Sequence, residues 1–92
     1  MRVVNESGYL HKNITALSVE ENCRLTGRGY IFHRIWGYDE DSRRNEVLDW
    51  GMDLEDVVEC YELMSKQLSK GQAGYWDCTR SGLNKDYERQ TA

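Results

Sequence analysis

Asp53-Leu54-Glu55-Asp56-Val57-Val58-Glu59-Cys60-Tyr61-Glu62-Leu63-Met64-Ser65-Lys66-Gln67-Leu68-Ser69-Lys70-Gly71 carries the local marks of an amphipathic helix over about 53–70. Leu54, Val57, Val58, Tyr61, Ser65 and Leu68 recur at helical spacing and predict one core-facing stripe. Asp53 suits the N-cap position. Glu55 and Asp56 then place negative charge in the first turn, where the helix dipole is positive. Lys66 and Lys70 sit at the opposite end, and Gly71 supplies the left-handed residue that ends a helix. On this wheel Leu63 points away from the stripe, beside Asp56, Glu59 and Gln67.

Upstream the apolar period changes from helical to two. Thr15, Leu17, Val19, Cys23 and Leu25 fall on odd positions, interrupted by Glu21. Tyr30, Phe32 and Trp36 fall on even positions, with Ile31, His33 and Ile35 between them. Thr26-Gly27-Arg28-Gly29 lies between the runs and offers two glycines for a turn. The two runs read as a β-hairpin with the aromatic row toward the core and His33 on the other face. Ser18-x-x-Glu21 also resembles a capping box, so a short helix near 18–25 competes with the first strand. A polar loop from Tyr38 to Asn45 follows, then a third strand over Glu46 to Trp50. Val3-Val4 with Tyr9-Leu10, and Gly74 to Cys78, are candidates for further strands. The expected fold is α+β: a small antiparallel sheet of three to five strands packed against one main helix.

The 92 residues suit one domain over 1–92, with a polar tail at 84–92 expected to fray. No stretch approaches the roughly 20 apolar residues of a membrane helix, and the first residues lack the apolar core of a secretory signal. Cys23, Cys60 and Cys78 are odd in number and widely spaced, which suits reduced thiols in a cytoplasmic protein.

Catalytic and cofactor chemistry finds little footing. A calcium loop starting at Asp39 needs Gly at its sixth position and Glu at its twelfth. Arg44 and Trp50 stand there. There is no Cys-x-x-Cys or His-x-x-x-His pair to hold zinc with His11 or His33. No motif joins a cysteine to a histidine, and the usual phosphate-binding glycine patterns are missing. The sequence therefore points to a non-enzymatic protein without cofactor or metal.

Charge points instead to binding. Net charge is −4, but residues 39–62 hold ten acids against Arg43 and Arg44, for −8, while 22–38 hold three arginines and no acid, for +3. The first reading is a protein-interaction module, a small inhibitor or adaptor of the kind frequent in phages and mobile elements. It would block a larger protein or ribonucleoprotein through a charged face, using Tyr38, Asp39, Glu40, Asp41, Arg43 and Arg44 in the loop and Asp56, Glu59 and Leu63 on the helix. This reading places the loop and helix acids on one negative face. The alternative is a nucleic-acid-binding module using Arg24, Arg28 and Arg34 around the hairpin over 24–36, with aromatics available to stack. A homodimer through the hairpin edge or Leu63 is a third expectation.

One family layout is similar. Trp36-Gly37, a strand, a helix beginning near Asp53, and Lys70-Gly71 before Tyr75-Trp76 resemble the order seen in WGR domains, over roughly residues 29–76. That resemblance implies a nucleic-acid-linked module with a sheet and one helix. The arginine that follows Trp-Gly in that family is Tyr38 here.

Overall fold

The helix and the hairpin both form where their local signals lie. The computed structural model describes residues 1–24 and 29–84. In chain order the strands are β1 (Arg2–Val4), β2 (Leu10–His11), β3 (Ile14–Arg24), β4 (Ile31–Asp39) and β5 (Arg44–Gly51), followed by helix α1 (Leu54–Leu68) and strand β6 (Tyr75–Asp77). Residues 18–24 are strand, so the capping-box reading gives way to the hairpin. The turn expected at 26–29 and the tail expected at 84–92 lie outside the described residues, apart from Gly29 and Asn84. No helix among the described residues is long and apolar enough to cross a membrane.

The strands divide into two three-stranded sheets rather than one. β3-β4-β5 is antiparallel throughout, and β2-β1-β6 is mixed, because β1 runs antiparallel to β2 and parallel to β6. α1 packs across β3, β4 and β5 and also touches β6. The core holds Met1, Val3, Ile14, Ile35, Leu48, Val57, Cys60, Met64 and Cys78. The layering is that of an α+β domain, with one helix against the larger sheet.

α1 begins as its sequence dictates. The Asp53 carboxylate accepts from the Glu55 and Asp56 amides at 2.9 and 3.4 Å. Its buried side chains are Val57, Cys60 and Met64, so the helix is rotated from the expected stripe toward Cys60 and Met64. Gly71 takes φ +61° and opens a single 3-10 turn, Gly71–Ala73. Gly74 then passes directly under the helix end. A Cβ there would lie 2.0 Å from the Gln67 carbonyl oxygen, a backbone atom that cannot swing aside.

The larger sheet reverses the expected facing of β4. His33, Ile35, Gly37 and Asp39 are buried on the helix side, while Arg34, Trp36 and Tyr38 are half-buried on the outer side, where Phe32 is itself buried beneath Arg34 and against Trp50. The aromatic row therefore covers the outer face rather than the core. β4 itself alternates regularly, but the strands on either side of it do not. Between Glu20 and Cys23, β3 carries one extra residue, with Asn22 at φ +60° and its amide donating to His33 Nδ1 at 3.0 Å. Between Val47 and Asp49, β5 carries an extra residue, Leu48, and both Leu48 and Asp49 are fully buried. A bulge sets two residues against one on the partner strand and breaks alternation.

The Gly74 contact generates a stability prediction. Gly74→Ala should force β6 away from α1 and lower stability by about 2 kcal/mol, the usual scale of an overpacking defect. Urea unfolding checks it, and an unchanged midpoint would show that this close approach is not required.

Candidate functional site

The expected surface residues occupy three different settings. Glu40, Asp41 and Arg43 form the exposed tip between β4 and β5, and Arg43 holds a left-handed φ of +56°. Arg44 opens β5, where its Nε donates to Glu46 Oε1 at 2.6 Å. Tyr38 lies half-buried on the outer face of β4.

Asp39 is a correction: it is 6% exposed and belongs to the interior. His11 Nδ1 donates to its Oδ2 at 2.6 Å. Its Oδ1 accepts from the Asp41 and Ser42 amides at 2.9 and 3.3 Å. Burial pushes the Asp39 carboxyl up, but the His11 hydrogen bond and the two amides outweigh it and hold it below the ordinary Asp value. Asp39 therefore shapes the tip and ties β2 to β4, and it is not available to a partner.

The single negative face is also corrected. The tip lies at the start of β5 and the helix cap lies just past its end. Eight extended residues separate them, roughly 25 Å of strand. The two acidic groups are separate surfaces.

Asp56, Glu59 and Leu63 do come together, on the flank of α1 that borders the C-terminal segment. With Trp76, Arg80 and Leu83 they line a cleft of about 420 Å³. A second cleft of about 550 Å³, lined by Gln67, Tyr75 and Asp77, adjoins it and shares Trp76, Arg80 and Ser81. Leu63 is 41% exposed on one wall. Arg80 is exposed on the other, its Nε 3.7 Å from Asp77 Oδ2. Asp56 and Glu59 form no ion pair among the described residues.

Sequence reading missed the far wall of this cleft. Trp76, Arg80, Ser81 and Leu83 carry no mutual spacing that marks them, and only the return of the chain beside α1 brings them to Leu63. The wall is fixed from below by Asp49. Ser81 Oγ donates to Asp49 Oδ2 at 2.6 Å, and the Trp50 amide donates to Asp49 Oδ1 at 2.9 Å. Burial pushes the Asp49 carboxyl up to about 6, although both hydrogen bonds oppose the rise. Burial likewise pushes the neighbouring Cys60 thiol up to about 12 and raises Cys78 as well. Thiols so raised are poor nucleophiles and behave as core side chains. No group of three or more potential metal ligands occurs among the described residues.

The arginines of the alternative reading are dispersed. Arg24 is exposed at the end of β3, and Arg28 lies outside the described residues. Arg34 is engaged. Its Nη1 is 3.5 Å from Glu20 Oε1, and its guanidinium lies 5.0 Å from the Phe32 ring centre and 5.9 Å from that of Trp36.

Asp49 gives a pH prediction with a definite sign. An unfolded Asp titrates near 3.8 and the folded one at about 6. Between these values the folded state keeps a proton that the unfolded state has released, so stability from this group falls as pH rises from about 4 to 6. At about 1.4 kcal/mol per unit the full loss is on the order of 3 kcal/mol. Asp49→Asn should remove this slope and unfold at higher denaturant than wild type at pH 7. Parallel pH profiles for the two proteins would show that Asp49 titrates normally.

Compared with known proteins, the chain matches no family model, no curated protein and no solved structure. The likeness to WGR domains thus rests on the layout around Trp36-Gly37 alone.

Proposed function

We propose that this chain is a non-enzymatic protein-interaction module, a small inhibitor or adaptor that acts by occupying a surface of a larger protein or ribonucleoprotein. The observation that supports this reading most is the cleft beside α1. It sets an exposed leucine, Leu63, beside a tryptophan, Trp76, and two carboxylates, Asp56 and Glu59, that form no ion pair among the described residues, with Arg80 on the facing wall. An apolar anchor inside a charged rim is the usual anatomy of a protein contact. The exposed tip of Glu40, Asp41 and Arg43, with Arg44 beside it, offers a second charged contact at the other end of β5.

The mechanism in this reading is steric. A rigid domain of this size, seated on a partner, excludes whatever else that surface would bind, and its acidic groups favour basic grooves. The cytoplasm and a mobile-element origin fit this role. Nucleic-acid binding through Arg24, Arg28 and Arg34 is the competing outcome, and the engagement of Arg34 with Glu20 weighs against it.

Tagged protein used as bait in host lysate, with and without nuclease, tests the reading. A stoichiometric protein partner should survive nuclease and be lost from the double variant Glu59→Lys, Leu63→Asp. Loss of every partner on nuclease treatment overturns it. In that case Arg24→Ala and Arg34→Ala should abolish binding, with a steep dependence on salt.

A further inference from the structure

β3 is an edge strand of the larger sheet, and its outer edge is open over five residues. Met1 closes that edge at Ile14 by exchanging two backbone hydrogen bonds with it, at 3.1 and 2.9 Å. The extra residue between Glu20 and Cys23, with Asn22 at φ +60°, interrupts the strand at the other end. Between them run Thr15, Ala16, Leu17, Ser18 and Val19, with no charge, proline or glycine. In an edge strand alternate residues turn their N–H and C=O groups outward. Among the described residues no backbone hydrogen bond outside the β3–β4 ladder engages this stretch. The other edges are guarded or short. The Leu48 carbonyl of β5 is taken by the Glu6 amide, the start of β5 carries Arg44 and Glu46, and β2 and β6 have two and three residues.

An apolar flank of α1 borders the same edge. The flank of Asp56, Glu59 and Leu63 faces the C-terminal segment, which Asp49 ties to β5. At about 100° per residue, Leu54, Val58, Tyr61 and Ser65 lie on the opposite flank, toward β3, the strand on which α1 packs most. All four are half-buried, as are Leu17 and Val19 on β3. The apolar stripe legible in the sequence is centred near this flank, yet the domain alone buries the side that carries Cys60 and Met64. The uncovered half of the stripe therefore lies beside the uncovered strand edge.

A second copy covers both at once, whereas an extended peptide would pair with the strand and leave the helix flank bare. A two-fold axis through Leu17, perpendicular to the sheet, pairs the strands antiparallel. It sets Leu17 against its own copy and Ala16 opposite the partner's Ser18, so no like charges face each other. The same axis reverses the second helix on the same side of the sheet. Glu55 in the first turn of one helix then lies toward the basic last turn of the other, which holds the partner's Lys66, and the two helix dipoles run in opposite directions. We infer that this chain forms a two-fold homodimer, in which the β3 edges join over residues 15–19 into one six-stranded sheet and the flanks of Leu54, Val58 and Tyr61 pack together. The inference goes beyond the interaction-module reading and leaves the cleft on the other side of α1 open.

Sedimentation equilibrium of the untagged chain from about 1 μM to 1 mM tests it. The mass should rise from 10.8 kDa toward twice that value. Amide exchange at Leu17 and Val19 should slow as the dimer fills. Ala16→Lys combined with Ser18→Lys sets like charges across the axis at exposed positions, and should weaken association at least tenfold with an unchanged far-UV dichroism spectrum. Ser65→Arg, on the helix flank, should weaken it as well, and Leu63→Asp, on the opposite flank, should not. A mass of 10.8 kDa throughout overturns the inference. So does a dimer that survives the paired lysine substitutions, or one that Leu10→Asp or Ile31→Asp abolishes in their place, since association would then run through exposed apolar groups elsewhere.

Discussion

The extra residue in β5 ties the parts of this domain together. Because Leu48 and Asp49 both turn inward, the strand serves the apolar core and a buried polar anchor at adjacent positions. The Leu48 side chain fills the space beside Gly37 on the central strand, where a Cβ would sit 2.5 Å from its Cδ1. Its carbonyl accepts from the Glu6 amide at 2.8 Å, which brings the N-terminal sheet alongside β5. Asp49, one residue on, holds Ser81 and with it the wall of the cleft. A regular strand would present only one of the pair to the interior, and either the core or the C-terminal segment would lose its attachment.

The two carboxylates held inside the domain take opposite courses. Asp39 meets a histidine and two backbone amides, so its charged form is well solvated by the protein. Asp49 meets a serine hydroxyl and one amide, with the thiols of Cys60 and Cys78 nearby, and burial wins. The difference follows from depth, since Asp49 is the more deeply buried, and from the number and charge of the donors each carboxylate meets. It also separates their roles: Asp39 joins the two sheets through His11, whereas Asp49 is a tether whose ionised form strains the interior it anchors.

Much of the fold was legible because it was encoded locally. The Asp53 cap, the acidic first turn, Gly71 at the helix end and the two alternating runs all lie within a few residues of the structure they specify. The side on which the β4 aromatics lie was not legible. β4 alternates regularly, but alternation does not say which of its two sets faces inward, and a row of aromatics is as well suited to a self-packed outer face as to a core. Pairing of β1 with β6 was likewise hidden, because three-residue strands more than seventy positions apart carry no register signal. The candidate site divides in the same way. Leu63 stood out as an apolar residue on a polar helix face, whereas Asp39 looked solvated because nothing near it announces His11, 28 residues earlier.

The outer face of the larger sheet is the rival contact surface, and its internal chemistry argues against it. Arg34 already lies over Phe32 and Trp36. Glu20 Oε1 already accepts from Trp36 Nε1 at 3.2 Å and from Cys23 Sγ at 3.1 Å, with Arg34 at 3.5 Å. Phe32 and Trp50 pack edge to face at 5.9 Å. A partner would have to displace these contacts before gaining its own, so the net gain of binding there is small. The cleft beside α1 differs: Leu63 is exposed there, and Asp56 and Glu59 form no ion pair among the described residues although Arg80 lines the same cleft. On the interaction-module reading proposed above, the cleft beside α1 therefore asks a partner to displace fewer existing contacts than the outer face does.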